Sequence, residues 1–102
     1  MITRIVRLEF SKDGTTEFLP KFEEIKFFVN SFPGCLGMQL LNDIKNPNVF
    51  FTISNWVSES CLEEYRNSDG FRKTWNAIKP LFIAKPEAWS LTTHFDGRNI
   101  IE

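Results

Sequence analysis

The residues Val49-Phe50-Phe51-Thr52-Ile53-Ser54-Asn55-Trp56 decide how this chain folds. They are rich in β-branched and aromatic side chains, the composition of a strand. Alternation places Phe50, Thr52, Ser54 and Trp56 on one side and Val49, Phe51 and Ile53 on the other, so neither side looks solvated. The strand is expected to be buried on both faces.

Just upstream, Ile44-Lys45-Asn46-Pro47-Asn48 has turn chemistry, and Cys35 to Asp43 is a second β-compatible run. The two runs predict an antiparallel hairpin. Before it, Phe18, Phe22, Ile25, Val29 and Phe32 recur at helical spacing, with Lys21, Glu23, Glu24 and Lys26 largely off that stripe. Phe32-Pro33-Gly34 ends this helix. Ser11 to Thr16 reads as a turn, and Pro20 suits only a first helical turn, so the helix is expected to start close to Thr16. Ahead of it, Ile2 to Phe10 alternates as a strand whose even positions are mainly apolar.

Downstream, Ser58 and Ser60 are N-cap candidates, with Glu63 at capping-box spacing from Ser60, for a short helix carrying Leu62 and Tyr65. Asn67-Ser68-Asp69-Gly70 interrupts it. Ser68 then caps a helix in which Phe71, Trp75, Ile78 and Phe82 keep helical spacing, while Pro80 kinks or ends it near Lys79. A last strand is expected from Ala88 to Phe95, with Trp89, Leu91, Thr93 and Phe95 on one side, and Asp96-Gly97 opens a short tail.

The order β-α-β-β-α-β predicts an α+β, ferredoxin-like fold: a four-stranded antiparallel sheet with helices on one face. The 102 residues suit a single domain, 1–102, with one core. Hydrophobic residues make up 42% of the chain, with 11 Phe and 3 Trp, so much bulky apolar surface must be hidden. A strand apolar on both sides leaves a sheet face that one copy cannot cover, and a homodimer through that face is the expected remedy.

Net charge is -1, the sequence pI is near 5.8, and Lys and Arg are scattered, which argues against a nucleic-acid partner. Arg4, Arg7 and Glu9 break up the N-terminus, and no apolar run approaches membrane-spanning length, so a cytoplasmic location without membrane contact is expected. Cys35 and Cys61 read as small buried hydrophobes. Phosphate-binding glycine loops, Cys-x-x-Cys pairs and metal-ligand sets are missing from the sequence, and no cofactor is expected.

Asn55-Trp56-Val57-Ser58-Glu59, Tyr65-Arg66-Asn67-Ser68-Asp69-Gly70-Phe71, Pro86-Glu87-Ala88-Trp89 and Pro33-Gly34-Cys35-Leu36 together resemble the antibiotic biosynthesis monooxygenase family. The resemblance implies a dimeric α+β barrel with a pocket between sheet and helices in each subunit. It also implies members that oxygenate polycyclic aromatics or quinols without metal or flavin, and haem-degrading members of the same fold. The haem branch has an Asn in its first strand and a proximal His on the helix after Ser-x-x-Phe; those positions match Val6 and Trp75 here. An indole offers iron no lone pair, which disfavours haem degradation. Tyr65 stands where that branch often has a Trp. The polyketide branch pairs a Trp matching Trp56 with an Asn four residues earlier, where this chain has Thr52.

The pocket candidates are therefore Trp56, Thr52, Tyr65, Phe71 and Trp75. Trp56 fits either a pocket wall that stacks on a planar substrate or a core indole with its N–H satisfied. Phe71 and Trp75 form an i,i+4 pair that could make an aromatic wall, although aromatic stripes at helical spacing are usually core. A Tyr65 hydroxyl can both donate and accept, and half-buried tyrosines often keep a wet tip. Thr52 with Ser54 puts small hydroxyls among aromatics on one strand face, as a cavity with polar anchors would. His94 is the only His and reads as a surface or interface residue. Glu23, Glu24, Glu63 and Glu64 read as solvated helix faces.

Two function classes fit these residues. One is a cofactor-independent monooxygenase-like enzyme acting on an aromatic phenol or quinol. The alternative is a non-catalytic dimeric module of the same fold, binding a small molecule or purely structural.

Overall fold

A computed structural model describes residues 1–98. Its elements run β1 (Ile2–Glu9), α1 (Lys12–Ser31), β2 (Cys35–Asn42), β3 (Val49–Trp56), α2 (Glu59–Arg66), α3 (Asp69–Ile78), a 3-10 turn (Lys79–Leu81) and β4 (Glu87–Leu91). The strands form one sheet in the order β2-β3-β1-β4, antiparallel throughout. This is the α+β, ferredoxin-like arrangement that the hydrophobic periods predict.

Register decides what each side of the sheet carries. Pairing of Arg4 with Ser54, Val6 with Thr52 and Leu8 with Phe50 puts the even residues of β1 and β3 on the helix-covered face. There Phe50 meets Phe10 and Phe18, while Trp56 meets Phe32 and Tyr65. The opposite face is only partly covered: Val49 is buried, Ile5, Phe51 and Ile53 are intermediate, and Leu41, Trp89 and Leu91 are exposed.

Under the helices the core falls into two groups. One gathers Leu8, Phe10, Phe18, Phe50 and Ile78; the other gathers Val29, Trp56 and Leu62, with Cys35 and Cys61 partly buried against it. Ile25 of α1 packs on both. The helical stripe Phe18, Phe22, Ile25, Val29 and Phe32 thus spans the whole core, as its spacing predicts.

The structure corrects several boundaries. Helix α1 begins at Lys12, not near Thr16, because Ser11 is its N-cap and accepts the Gly14 N–H at 2.9 Å. Gly14 looks like turn chemistry in sequence, yet it is buried in the first helical turn. A Cβ there would stand 2.7 Å from the Leu81 carbonyl oxygen, so glycine lets the helix start touch the 3-10 turn. Pro20 consequently lies well inside α1 instead of in its first turn. The cost of a Pro in a helix interior is offset here by burial of Phe18 and Val29 on either side.

Strand β1 ends at Glu9, and Phe10 makes only an isolated bridge to Phe82. Strand β2 ends at Asn42, one residue before the expected Asp43. Strand β4 is much shorter than expected. It pairs with β1 only as far as Leu91 opposite Thr3, where β1 is almost at its end, so Thr92 to Phe95 have no strand to pair with. His94 and Phe95 therefore lie beyond β4 and are exposed. Of the tail, Asp96 to Arg98 is described and holds an Arg98–Asp96 ion pair at 2.7 Å; the remainder lies outside the described residues.

At the other helix ends, Ser58 caps α2 by accepting the Cys61 N–H, and Ser60 bonds the Ser58 hydroxyl instead of capping. Ser68 caps α3 as expected, and the chain leaves α3 at Lys79-Pro80. Gly34 joins α1 to β2 at a φ of 88°, and a Cβ there would meet the Cys61 sulfur at 2.6 Å. Both facts require glycine. No helix among the described residues is long and apolar enough to cross a membrane.

Candidate functional site

Between the two core groups the molecule is hollow. On the helix-covered face, β3 carries Thr52 and Ser54 in its middle, and these short side chains cannot reach the helices as Phe50 and Trp56 do at its ends. The result is a cavity of about 260 Å³. Its floor is formed by two cross-strand rows, Arg4 with Ser54 and Met38, then Val6 with Thr52 and Ala88. Its roof comes from Phe22 and Ile25 of α1, Tyr65 and Arg66 of α2, and Phe71, Thr74 and Trp75 of α3. Arg66 and Ala88 are exposed, so the cavity meets solvent on the β4 side.

Helix α3 places its aromatics by spacing. Phe71 and Trp75, one turn apart, approach with ring centroids 5.8 Å apart, and Trp75 continues to Phe82 at 5.8 Å. The Phe71 ring meets Tyr65 edge-on at 5.1 Å, and Tyr65 stacks on Trp56 at 4.8 Å with 27° between planes. One wall of the cavity is thus a continuous run of rings.

Four of the five residues singled out from sequence, Thr52, Tyr65, Phe71 and Trp75, line this cavity together. Trp56 does not. It is 0% exposed, its indole N–H donates to the Ser54 hydroxyl at 2.9 Å, and Tyr65 lies on it. The pocket placement of Trp56 is therefore corrected: it is the core indole with its N–H satisfied, and it supports the wall from behind. Alternation gave the right face of β3, but not which rows of that face the helices fill.

The electrostatics of the cavity are uneven. Burial pushes the Tyr65 phenol up to about 12, reinforced by Cys35 and opposed by Arg4. Tyr65 therefore stays protonated and able to donate through the physiological range. Burial also lowers Arg4 from the usual guanidinium range, and nearby Arg66 lowers it further, while Glu63 and Tyr65 act in the other sense. Arg66 is held by Glu63 at 2.8 Å.

Arg4, Arg66 and Thr74 are lining residues that the sequence reading missed. Arg4 had a legible signal: it is the one charge among Ile2, Val6, Leu8 and Phe10 on the apolar side of β1. Glu23, Glu24, Glu63 and Glu64 are exposed, with Glu23 paired to Lys26 and Glu63 to Arg66, as solvated faces should be. Among the described residues no three or more His, Cys, Asp or Glu side chains gather as a metal ion would require.

Fold and cavity together define a ferredoxin-like α+β domain with an aromatic-walled pocket between sheet and helices. The sequence model of the antibiotic biosynthesis monooxygenase family matches residues 1–77, and the chain belongs to that family. Among solved structures it is similar to a Deinococcus radiodurans protein named for the same family, at 17% identity, covering 100% of both chains with a TM-score of 0.86. It is also similar to SnoaB, a cofactor-independent oxygenase from Streptomyces nogalater, at 19% identity over 96% of this chain and 97% of that one, TM-score 0.85. A third similar structure, from Caulobacter crescentus and named for the family, is 23% identical over 88% of this chain and 86% of its own, TM-score 0.82. No curated protein matches the sequence.

Proposed function

We propose that the protein is a monooxygenase-like enzyme acting on an aromatic phenol- or quinol-type small molecule held in the cavity. The observation that carries this reading is a core left hollow between two packed ends, lined by Phe71 and Trp75 and by the hydroxyl-bearing Thr52 and Tyr65. A flat ring would lie along Phe71 and Trp75, while Tyr65 and Thr52 hydrogen-bond its oxygens. Family membership and the likeness to SnoaB support the oxygenase part of the reading.

The reaction balances without another reductant. One C–H and one O–H bond of the substrate supply four electrons to O₂; one oxygen atom becomes a ring carbonyl, and the other leaves as water with the two protons. The protein's share is to orient the ring, exclude water and donate a hydrogen bond from Tyr65 to oxygen as charge develops there. Oxygen uptake measured with a panel of quinols and anthrone-like phenols tests it: uptake matched by a product with one oxygen atom more and two hydrogen atoms fewer is expected. A complete lack of turnover across the panel would overturn the catalytic part.

A non-catalytic binding module is the second reading. It is favoured by the lining, whose ionisable side chains are two guanidiniums and a phenol, Arg4, Arg66 and Tyr65, with no carboxylate or imidazole to serve as a base. Under it, aromatic probes raise the melting temperature with no oxygen consumed.

In either case we propose that two copies pair through the uncovered sheet face. Ile5, Phe51, Ile53, Leu41, Trp89 and Leu91 give that face apolar character on all four strands. Sedimentation at micromolar concentration should show a dimer, and Ile53→Lys should yield monomers. A wild-type monomer at that concentration contradicts the pairing.

A further inference from the structure

We infer that Arg4 is a specificity residue and that the cavity selects aromatic ligands bearing a carboxylate, bound by the Arg4 guanidinium while the ring lies along Phe71 and Trp75. The inference rests on the pocket reading above and narrows its substrate class.

Arg4 occupies the middle of the sheet floor, between Ile2 and Val6 on the helix-covered side, where an apolar residue would be the rule. A half-buried charge is costly unless a counter-charge meets it. Among the described residues no carboxylate lies within ion-pair distance of Arg4. Among the described residues its one side-chain hydrogen bond is from Nη1 to the Ser90 hydroxyl at 2.8 Å, so most of its five N–H donors have no protein partner there. Arg66, whose charge also bears on Arg4, is paired with Glu63, so the two guanidiniums and one carboxylate at this end of the cavity carry one positive charge in excess.

The surroundings suit a carboxylate. A guanidinium fork grips both its oxygens at once, and a partly desolvated site strengthens the grip. Ser54, on the same cross-strand row, adds a hydroxyl. The opposite end of the cavity, against Phe18 and Ile78, is apolar. A ligand with a charged end and a flat apolar body fits this polarity in one orientation only.

Calorimetric titration with 2-naphthoate and its neutral isostere 2-naphthamide tests the idea. Wild type should bind 2-naphthoate at least ~10-fold more tightly, the scale of a charge-assisted hydrogen-bonded pair. Arg4→Gln, which can still bond Ser90, should abolish the preference, so that the variant binds the two probes alike. Arg4→Lys should keep part of the preference, and Arg4→Met, which also lacks the charge, stands in if Arg4→Gln does not fold. Equal binding of both probes by wild type, or an undiminished preference in Arg4→Gln or in the stand-in Arg4→Met, overturns the carboxylate inference and leaves the pocket reading intact. Binding of neither probe overturns the pocket reading and this inference with it.

Discussion

At Phe50 and Trp56 the helix-facing side of β3 is packed solid, whereas at Thr52 and Ser54, the two positions between them, it leaves about 260 Å³ unfilled. All four residues belong to one strand, face the same helices and alternate in the same way. What separates them is reach: an indole and a phenyl ring cross the gap to α1 and α2, and a hydroxymethyl or hydroxyethyl group does not. A native core usually closes such gaps, because voids forfeit dispersion contacts. A hollow bracketed by tightly packed rings therefore reads as a feature the fold sustains, with the packed ends supplying the rigidity.

The largest way to break this contrast is Trp56→Ala. Removing a fully buried indole should cost about 3–5 kcal/mol in urea denaturation. A loss below about 1 kcal/mol would mean that the end of β3 is no better packed than its middle. Ser54→Ala should cost about 1–3 kcal/mol, because the Trp56 N–H loses its acceptor in a buried setting. A neutral result would show that the indole finds another partner.

Thr52→Leu sharpens the comparison from the other side. Filling the hollow should change stability by less than about 1.5 kcal/mol while abolishing binding of aromatic probes. A large destabilisation would instead show that the space is needed for packing. The smallest effect is a titration. Because burial raises the Tyr65 phenol to about 12, the folded state holds that proton more tightly than the unfolded chain, whose phenol titrates near the usual value. Its contribution to stability is whole below about pH 10 and is lost as pH rises through 10 to 12. Ultraviolet absorbance of phenolate should show this late ionisation of the single Tyr; ionisation near pH 10 in folded protein would count against its burial.

The contrast between ends and middle also shows how far the sequence can be read. Periodicity is a local property, and it sufficed for β3, for the stripe on α1 and for the Ser68 cap. The start of α1 was hidden because Gly14 answers to Leu81, far along the chain. The end of β4 was hidden because it depends on where β1 runs out. At the site, alternation brought Thr52 to the correct face and helical spacing brought Phe71 and Trp75 together. Neither could say that Tyr65 would lie over Trp56 and leave it outside the cavity. Arg4 was visible as a charge in an apolar row, but only the roof of α2 and α3 turns that row into the floor of a pocket.

Pro20 has a consequence for local opening. It has no N–H, so the Thr16 carbonyl lacks its intrahelical partner and one bond of the α1 ladder is missing there. The segment from Lys12 to Leu19 is also held by the Ser11 cap, by Gly14 against Leu81 and by the buried Phe18. Its amides should exchange with solvent deuterium as a separate unit, faster than those around Val29, even though both belong to one continuous helix. Since Phe18 closes the apolar end of the cavity, the same opening would admit solvent to the hollow from behind, at the end opposite Arg4.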